Sequence, residues 1–491
     1  MASKKHLALL AIAILILASV ASYELFFSRG GGPCNLIPVG TPVKTQTSMV
    51  TVGAIEEYNL PTVFRQPNAI TNASDGSVWF AEQGLPGVGH LFPGNGTLVE
   101  YAWPGYPSPK APACASGVSV SGIALWNGRV WGADEFGNAL VGVKPGDGSA
   151  VTVSTAATAQ FPYWVAVGPD GNLWFTSDNL PARLGRIFTN MTVQVINLLG
   201  MGSDEPLQLD FVNSSLAYVA TVDLSGTPCT CDGRIYRFDP SSVSGAISPA
   251  VVGPGFKLIL PTSVAYSAGA IWVAQHDASS VTEYDPRSGT WVTYPTSTMP
   301  WLDVTLPLEV AGANGMVWFN EHYANKVALL DPKSGTLTEY SESDPPAASY
   351  TQIQNDESIA LADGGLWVSS MSGGYVGFVA ASYDPGFQIS VVGTDRATLP
   401  AGGSASFGLR VSGTWTSAMK VTFSDSENFT SVPRLIQITP SATVVPSGSS
   451  PYEMNIRVAA GPSVQPGVYT VAVTVTNGLV QRSAYLFLDV S

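Results

Sequence analysis

Seven polar side chains stand at one register of a recurring pattern, three residues beyond a central aromatic. They are Glu82, Asp134, Ser177, Thr221, Gln275, Glu321 and Ser370, following Trp79, Trp131, Trp174, Tyr218, Trp272, Trp318 and Trp367. Three carboxylates among several neutral oxygens suit a hard cation, which makes Glu82, Asp134 and Glu321 candidate ligands for Mg²⁺ or Ca²⁺. The blander reading is that strands end in polar residues as they reach solvent. Of the four histidines, His276 and His322 directly follow Gln275 and Glu321, and an imidazole there is a candidate catalytic base because it titrates near neutrality. With Tyr163 and Trp164, the strand-end residues Glu82, Asp134, Gln275 and Glu321 make up a candidate ligand-binding face.

The elements that must position these residues are strands. Successive aromatics are 43 to 54 residues apart, and a period near 45 with several strands per unit is the mark of a propeller. Each unit has an apolar strand, a Gly-containing turn, the aromatic strand, and often an Asp-Pro or Ser-Gly hairpin before an outer strand ending in Glu-Tyr. The expected fold is all-β: a seven-bladed β-propeller over residues 52–382, then a β-sandwich over 383–491, preceded by one N-terminal hydrophobic helix (1–27) and a linker (28–51). Ile55 to Leu60 matches the outer strands at Leu98 to Trp103, Trp291 to Thr296 and Leu337 to Glu342, so it is expected to complete the last blade and leave only short edges. The aromatics themselves belong to the core.

Composition agrees: 45% of residues are hydrophobic, 12% charged, and 50 are glycine, the profile of a β protein with many turns. A net charge of −14 with no basic cluster beyond the N-terminus argues against nucleic acid. Lys4 and Lys5 precede an uncharged run from Leu7 to Tyr23, which reads as a signal peptide cleaved after Ser-Val-Ala or as a short membrane anchor. Either exports the rest of the chain, to be secreted or held on the outer face of the membrane. Sequons at Asn72, Asn95, Asn190, Asn213 and Asn428 are candidate glycosylation sites. The four cysteines form an even set, and pairing Cys34 with Cys114 and Cys229 with Cys231 is the favoured of three connectivities.

The recurring order of Pro, a Gly turn, WFxE, an Asp-Pro/Ser-Gly hairpin and an EY strand resembles the streptogramin (virginiamycin B) lyases, a family of seven-bladed propellers, and more distantly NHL-repeat and gluconolactonase-type propellers. The resemblance covers about residues 52–381. It implies Mg²⁺, a Glu at the end of a WFTE strand, and a His in a Pro-His dipeptide beginning the same blade, together opening a cyclic ester by elimination. Glu82 in WFAE and Glu321 in WFNE match the Glu. At the His position stand Asn68, Ser121, Tyr163, Leu207, Thr262, Leu308 and Glu357, none a histidine. The sandwich, with LPAGGSASFGLRV and PGVYTVAVTVTN, resembles immunoglobulin-like stalk domains of exported prokaryotic proteins, which are spacers or adhesion modules. The expected function is therefore an exported propeller binding a small molecule, glycan or surface protein. A Mg-dependent lyase or lactonase, with His276 or His322 as base, and a structural cell-surface component are the alternatives.

Overall fold

Runs rich in apolar and β-branched residues between glycine turns, two to eleven residues long, form strands throughout the computed structural model. It describes residues 40–491 except 62–64, 84–86, 104–119, 224, 226–231, 254–257, 298–304, 344–355, 372, 427–434 and 449. The N-terminal helix, all four cysteines and Asn428 lie outside the described residues. No α-helix occurs among those described, and 3-10 turns stand at Pro240–Ser242 and His276–Ala278.

Seven sheets follow one another along the chain, antiparallel except where Ala246–Ile247 runs parallel to Val193–Leu198 at the edge of the third, each carrying one central aromatic on its second strand. Those aromatics are buried, between 0% and 5% exposed, so they fill the gaps between sheets. Small residues on the third strand make room for large rings on the second. A Cβ on Gly89 would come within 2.3 Å of the Phe80 ring, so only glycine fits there. The first strands are Pro67–Asn72, Val120–Trp126, Pro162–Val167, Asp204–Asn213, Pro261–Ser267, Pro307–Ala313 and Asp356–Ala362. Each packs on the next, and the last packs on the first, which makes a closed ring.

The two ends of the ring are tied by the N-terminal strands. Ile55–Asn59 pairs with Tyr375–Ala380, placing Ile55 opposite Val379, and so supplies the outer strand of the seventh sheet. The stretch expected to be a linker also contributes strands. Ser48–Val52 extends the seventh sheet as a hairpin with Ile55–Asn59, and Val43–Gln46 adds a fifth strand to the first sheet beside Thr97–Ala102.

From Phe387 two sheets enclose a second apolar core that includes Phe407, Leu409, Val473 and Leu486. One of them does not stand apart from the ring. Its strand Val480–Val490 pairs with Thr336–Ser341, the outer strand of the sixth sheet, so a single nine-stranded sheet runs through both bodies. Tyr485 from that strand is buried against Tyr294 of the fifth sheet and donates to the Pro295 carbonyl at 3.1 Å. Ser424 donates to Thr296 at 2.7 Å.

Candidate functional site

All seven innermost strands are irregular at the same place. The ladder between first and second strands slips immediately after its first residue in six sheets, between Pro67 and Ile70, Val120 and Ile123, Pro162 and Val165, Pro261 and Ser263, Pro307 and Val310, and Asp356 and Ser358, and after its third in the fourth sheet, between Pro206 and Leu209. A bulge turns side chains out of the pleat, and here it aims them at the ring axis. In four sheets the residue before the inner proline takes a left-handed conformation without being glycine: Gln66 (φ 49°), Phe161 (52°), Leu260 (45°) and Leu306 (56°). Such residues cost on the order of 1 kcal/mol or more. Each holds its place because its carbonyl accepts the N–H just past the second strand, from Gln83, Asp178, His276 and His322 at 2.8 to 3.1 Å.

The bulge residues line an axial pocket of about 130 Å³. At about 30 Å³ per water, that is room for roughly four waters or one small polar group. Asn68, Ser121, Tyr163, Thr262 and Leu308, aligned in the sequence with the family's histidine, all line it, and Trp164, Gln208, Ser263 and Glu309 complete it. The same residues tie neighbouring sheets together. Thr262 donates to the Leu308 carbonyl at 2.5 Å, Ser263 Oγ accepts from Val310 N at 2.8 Å, and Gln208 Oε1 accepts from Val264 N at 2.6 Å. Glu309 Oε2 accepts from Ile359 N at 2.8 Å, and within its own sheet the Glu309 N–H donates to Asn320 Oδ1 at 2.8 Å. Glu309 is the pocket's carboxylate, and burial pushes it up to about 7 despite the hydrogen bonds from Ile359 and Ser358.

The strand-end residues do not form the open polar ring the sequence suggests. All seven are buried, and none lines the pocket. Glu82 faces the carboxylate of Glu100, which is clamped by Arg65 at 2.6 and 3.0 Å. No other hydrogen-bonding group reaches either oxygen of Glu82, so burial and Glu100 together push it well above the carboxylate range, against the pull of Arg65. Glu321 repeats the arrangement with Glu339 and Lys326. Burial and Glu339 push Glu321 up, while Lys326 and Ser297 outweigh burial and hold Glu339 down. Lys326 Nζ lies 3.7 Å from Glu321, 3.4 Å from Glu339, and 2.5 Å from Ser297 Oγ. Asp134 accepts from Gly137 N at 2.9 Å within its own turn, and Gln275 Oε1 accepts from Ile259 N at 2.9 Å.

These donors do not fit a divalent ion. Glu82, Asp134 and Glu321 sit in three different sheets, and a guanidinium or ammonium already stands where a metal would have to neutralise each glutamate pair. Among the described residues no group of three His, Cys, Asp or Glu side chains could hold a metal. His276 and His322 do come together, with ring centres 5.7 Å apart and Tyr323 4.6 Å from His322. His276 Nδ1 is 2.7 Å from Asp277, not from a strand-end carboxylate, and neither histidine lines the axial pocket.

Sequence reasoning missed Glu309, Gln208 and Ser263, each one residue past the position aligned with the family's histidine; the bulge, invisible in the pattern, brings them to the axis. It also missed Asp178, which follows strand-end Ser177 as His276 follows Gln275. Burial, then Glu135 and Glu205, push Asp178 up to about 8. Of the sequons, Asn95, Asn190 and Asn213 are exposed, each with its side-chain oxygen accepting the backbone N–H two residues on at 2.9 to 3.1 Å. Asn72 is half-buried.

No protein-family model matches the chain, and no curated protein does. Among solved structures it is similar to virginiamycin B lyase from Staphylococcus aureus, at 20% identity and a TM-score of 0.49, over 66% of this chain and 98% of that one. It is similar to a streptogramin B lyase at 20% identity and a TM-score of 0.47, over 66% and 96%. It is also similar to BamB from Moraxella catarrhalis at 12% identity and a TM-score of 0.38, over 70% and 99%. At identities of 20% or less and TM-scores below 0.5, these likenesses leave the chemistry to the chain's own residues.

Proposed function

We propose that the protein is a non-catalytic binding module: a seven-bladed propeller with an immunoglobulin-like sandwich, exported and either anchored to or released from the outer face of the membrane. Its axial pocket takes a small, polar, positively charged group, presented by a small molecule or by a surface partner. The observation that carries this reading is the pocket itself, ringed by hydroxyls and amides around one carboxylate, Glu309. A cation beside Glu309 would relieve the cost of ionising a buried acid, whereas an anion would add to it. The acids that a lyase of the resembled family would use at a metal, Glu82 and Glu321, are each occupied by a second glutamate and a basic side chain.

The test is a calorimetric titration with ethanolamine at about pH 8, where Glu309 is ionised, alongside a lactone-opening assay with and without Mg²⁺. Wild type is expected to bind ethanolamine, Glu309→Gln to bind it about tenfold more weakly or not at all, and neither to open the lactone. Equal binding by the variant would remove the pocket from the reading. Mg-dependent ring opening would replace binding with catalysis.

A further inference from the structure

A second and larger cavity, about 700 Å³, lies where the sandwich meets the ring. That is within the size range of small-molecule sites, which favour such junctions. Its floor is the fused sheet, in which Thr338 stands directly across the ladder from Arg482. Tyr340 and Tyr383 form one wall, edge to face at 6.1 Å. Gln388 and Ser390, both exposed, form the opposite wall on the edge strand Phe387–Val392.

Arg482 crosses this cleft, and its donors are unevenly used. Nη1 donates to Gln388 Oε1. Nε is buried and donates to nothing. Burial draws the guanidinium's pKa downward, opposed by Tyr340 and Asp384. A guanidinium grips a carboxylate best through two parallel N–H bonds, and with Nη1 engaged the edge that remains is the one carrying Nε. Asp331 and Asp395 also line the cleft, and Asp331 already accepts from Lys333 N at 2.9 Å and Ser334 Oγ at 2.8 Å. Acids there disfavour a polyanion such as phosphate but accept hydroxyl donors.

We propose that this cleft binds a carboxylate-bearing sugar, its acid group forked on Arg482, its hydroxyls on Thr338, Gln388 and Ser390, and its ring face against the tyrosines. The site is independent of the axial pocket and shares no lining residue with it.

Saturation-transfer NMR and calorimetry on the full-length chain, with glucuronate, glucose, acetate and diglycine as probes, test it. Glucuronate is expected to bind at one site, at least about tenfold more tightly than glucose, acetate or diglycine. Arg482→Gln should weaken glucuronate by about tenfold or more. Arg482→Lys keeps charge and stem but loses the fork, and should lose affinity similarly while melting like wild type. Gln437→Ala, exposed and outside the cleft, should change affinity by no more than about threefold. No glucuronate binding, equal binding of glucose or acetate, tighter binding of diglycine, or unchanged affinity in the properly folded lysine variant would each overturn the proposal.

Discussion

Glu309 sits buried on the ring axis with one carboxylate oxygen held by Ile359 N and a carboxyl pushed up to about 7 from an ordinary 4.5. Because the folded pKa is raised, the stability associated with its proton is fully present below about pH 4.5 and is lost as pH rises through about 7. At about 1.4 kcal/mol per pKa unit, the loss approaches roughly 3 kcal/mol. Glu309→Gln keeps an oxygen for Ile359 but cannot ionise. Urea unfolding between about pH 5 and 8 should therefore show the variant gaining roughly 2–3 kcal/mol on wild type as pH rises. Parallel profiles would mean that Glu309 is not the buried titrating acid. Glu82 and Glu321 are different, since each is pushed up by burial and by a second glutamate that sits against Arg65 or Lys326. In the sequence they are indistinguishable from metal ligands, because the partners that claim them, Glu100 and Glu339, lie eighteen positions downstream on the outer strand.

The inner strand, with its bulge, is the element on which the site depends. Proline at its start cannot donate to the ladder, which suits a strand beginning where pairing slips. The other decisive element is Thr336–Ser341, an outer strand of the ring whose free side is covered by Val480–Val490. A bare edge there would be a template for aggregation, and the sandwich removes it. Amide exchange in Thr336–Ser341 is thus expected to track that in Val480–Val490. Tyr485→Ala, which empties a fully buried aromatic site, should cost about 3–5 kcal/mol and lower protection in both strands. Protection lost in Val480–Val490 alone would show that the two strands open independently.

At the scale of the whole molecule, the ring closes by pairing its N-terminal strand Ile55–Asn59 with its last strand Tyr375–Ala380. Removing residues 1–59 takes away Ile55–Asn59 and leaves Tyr375–Ala380, with its buried Val376 and Val379, as an edge. That truncation should broaden calorimetric unfolding and promote association, whereas removing residues 1–42 spares every described strand of the ring and should leave one sharp transition. A sharp transition in both would deny the closure any energetic role. The joined sheet also fixes the sandwich against the ring, so the cleft between them has stable walls rather than the changing gap of a tethered pair.

What the sequence determined by itself was periodic: buried aromatics at a steady spacing, apolar strands between glycine turns, and an EY-type strand at Ile55 that belongs with the far end of the array. Those features are local, and each is repeated, so a single chain of letters carries them. The tertiary structure decided which polar groups are available. It buried Glu82, Asp134 and Glu321 in separate sheets, left His276 beside Asp277, and brought Glu309 to the axis through a one-step slip of the ladder. It also joined Thr336–Ser341 to a strand about 145 residues later, which created the cleft around Arg482. The physical reason is that burial and electrostatic partners depend on neighbours across sheets, and no periodicity along the chain encodes which neighbours those will be.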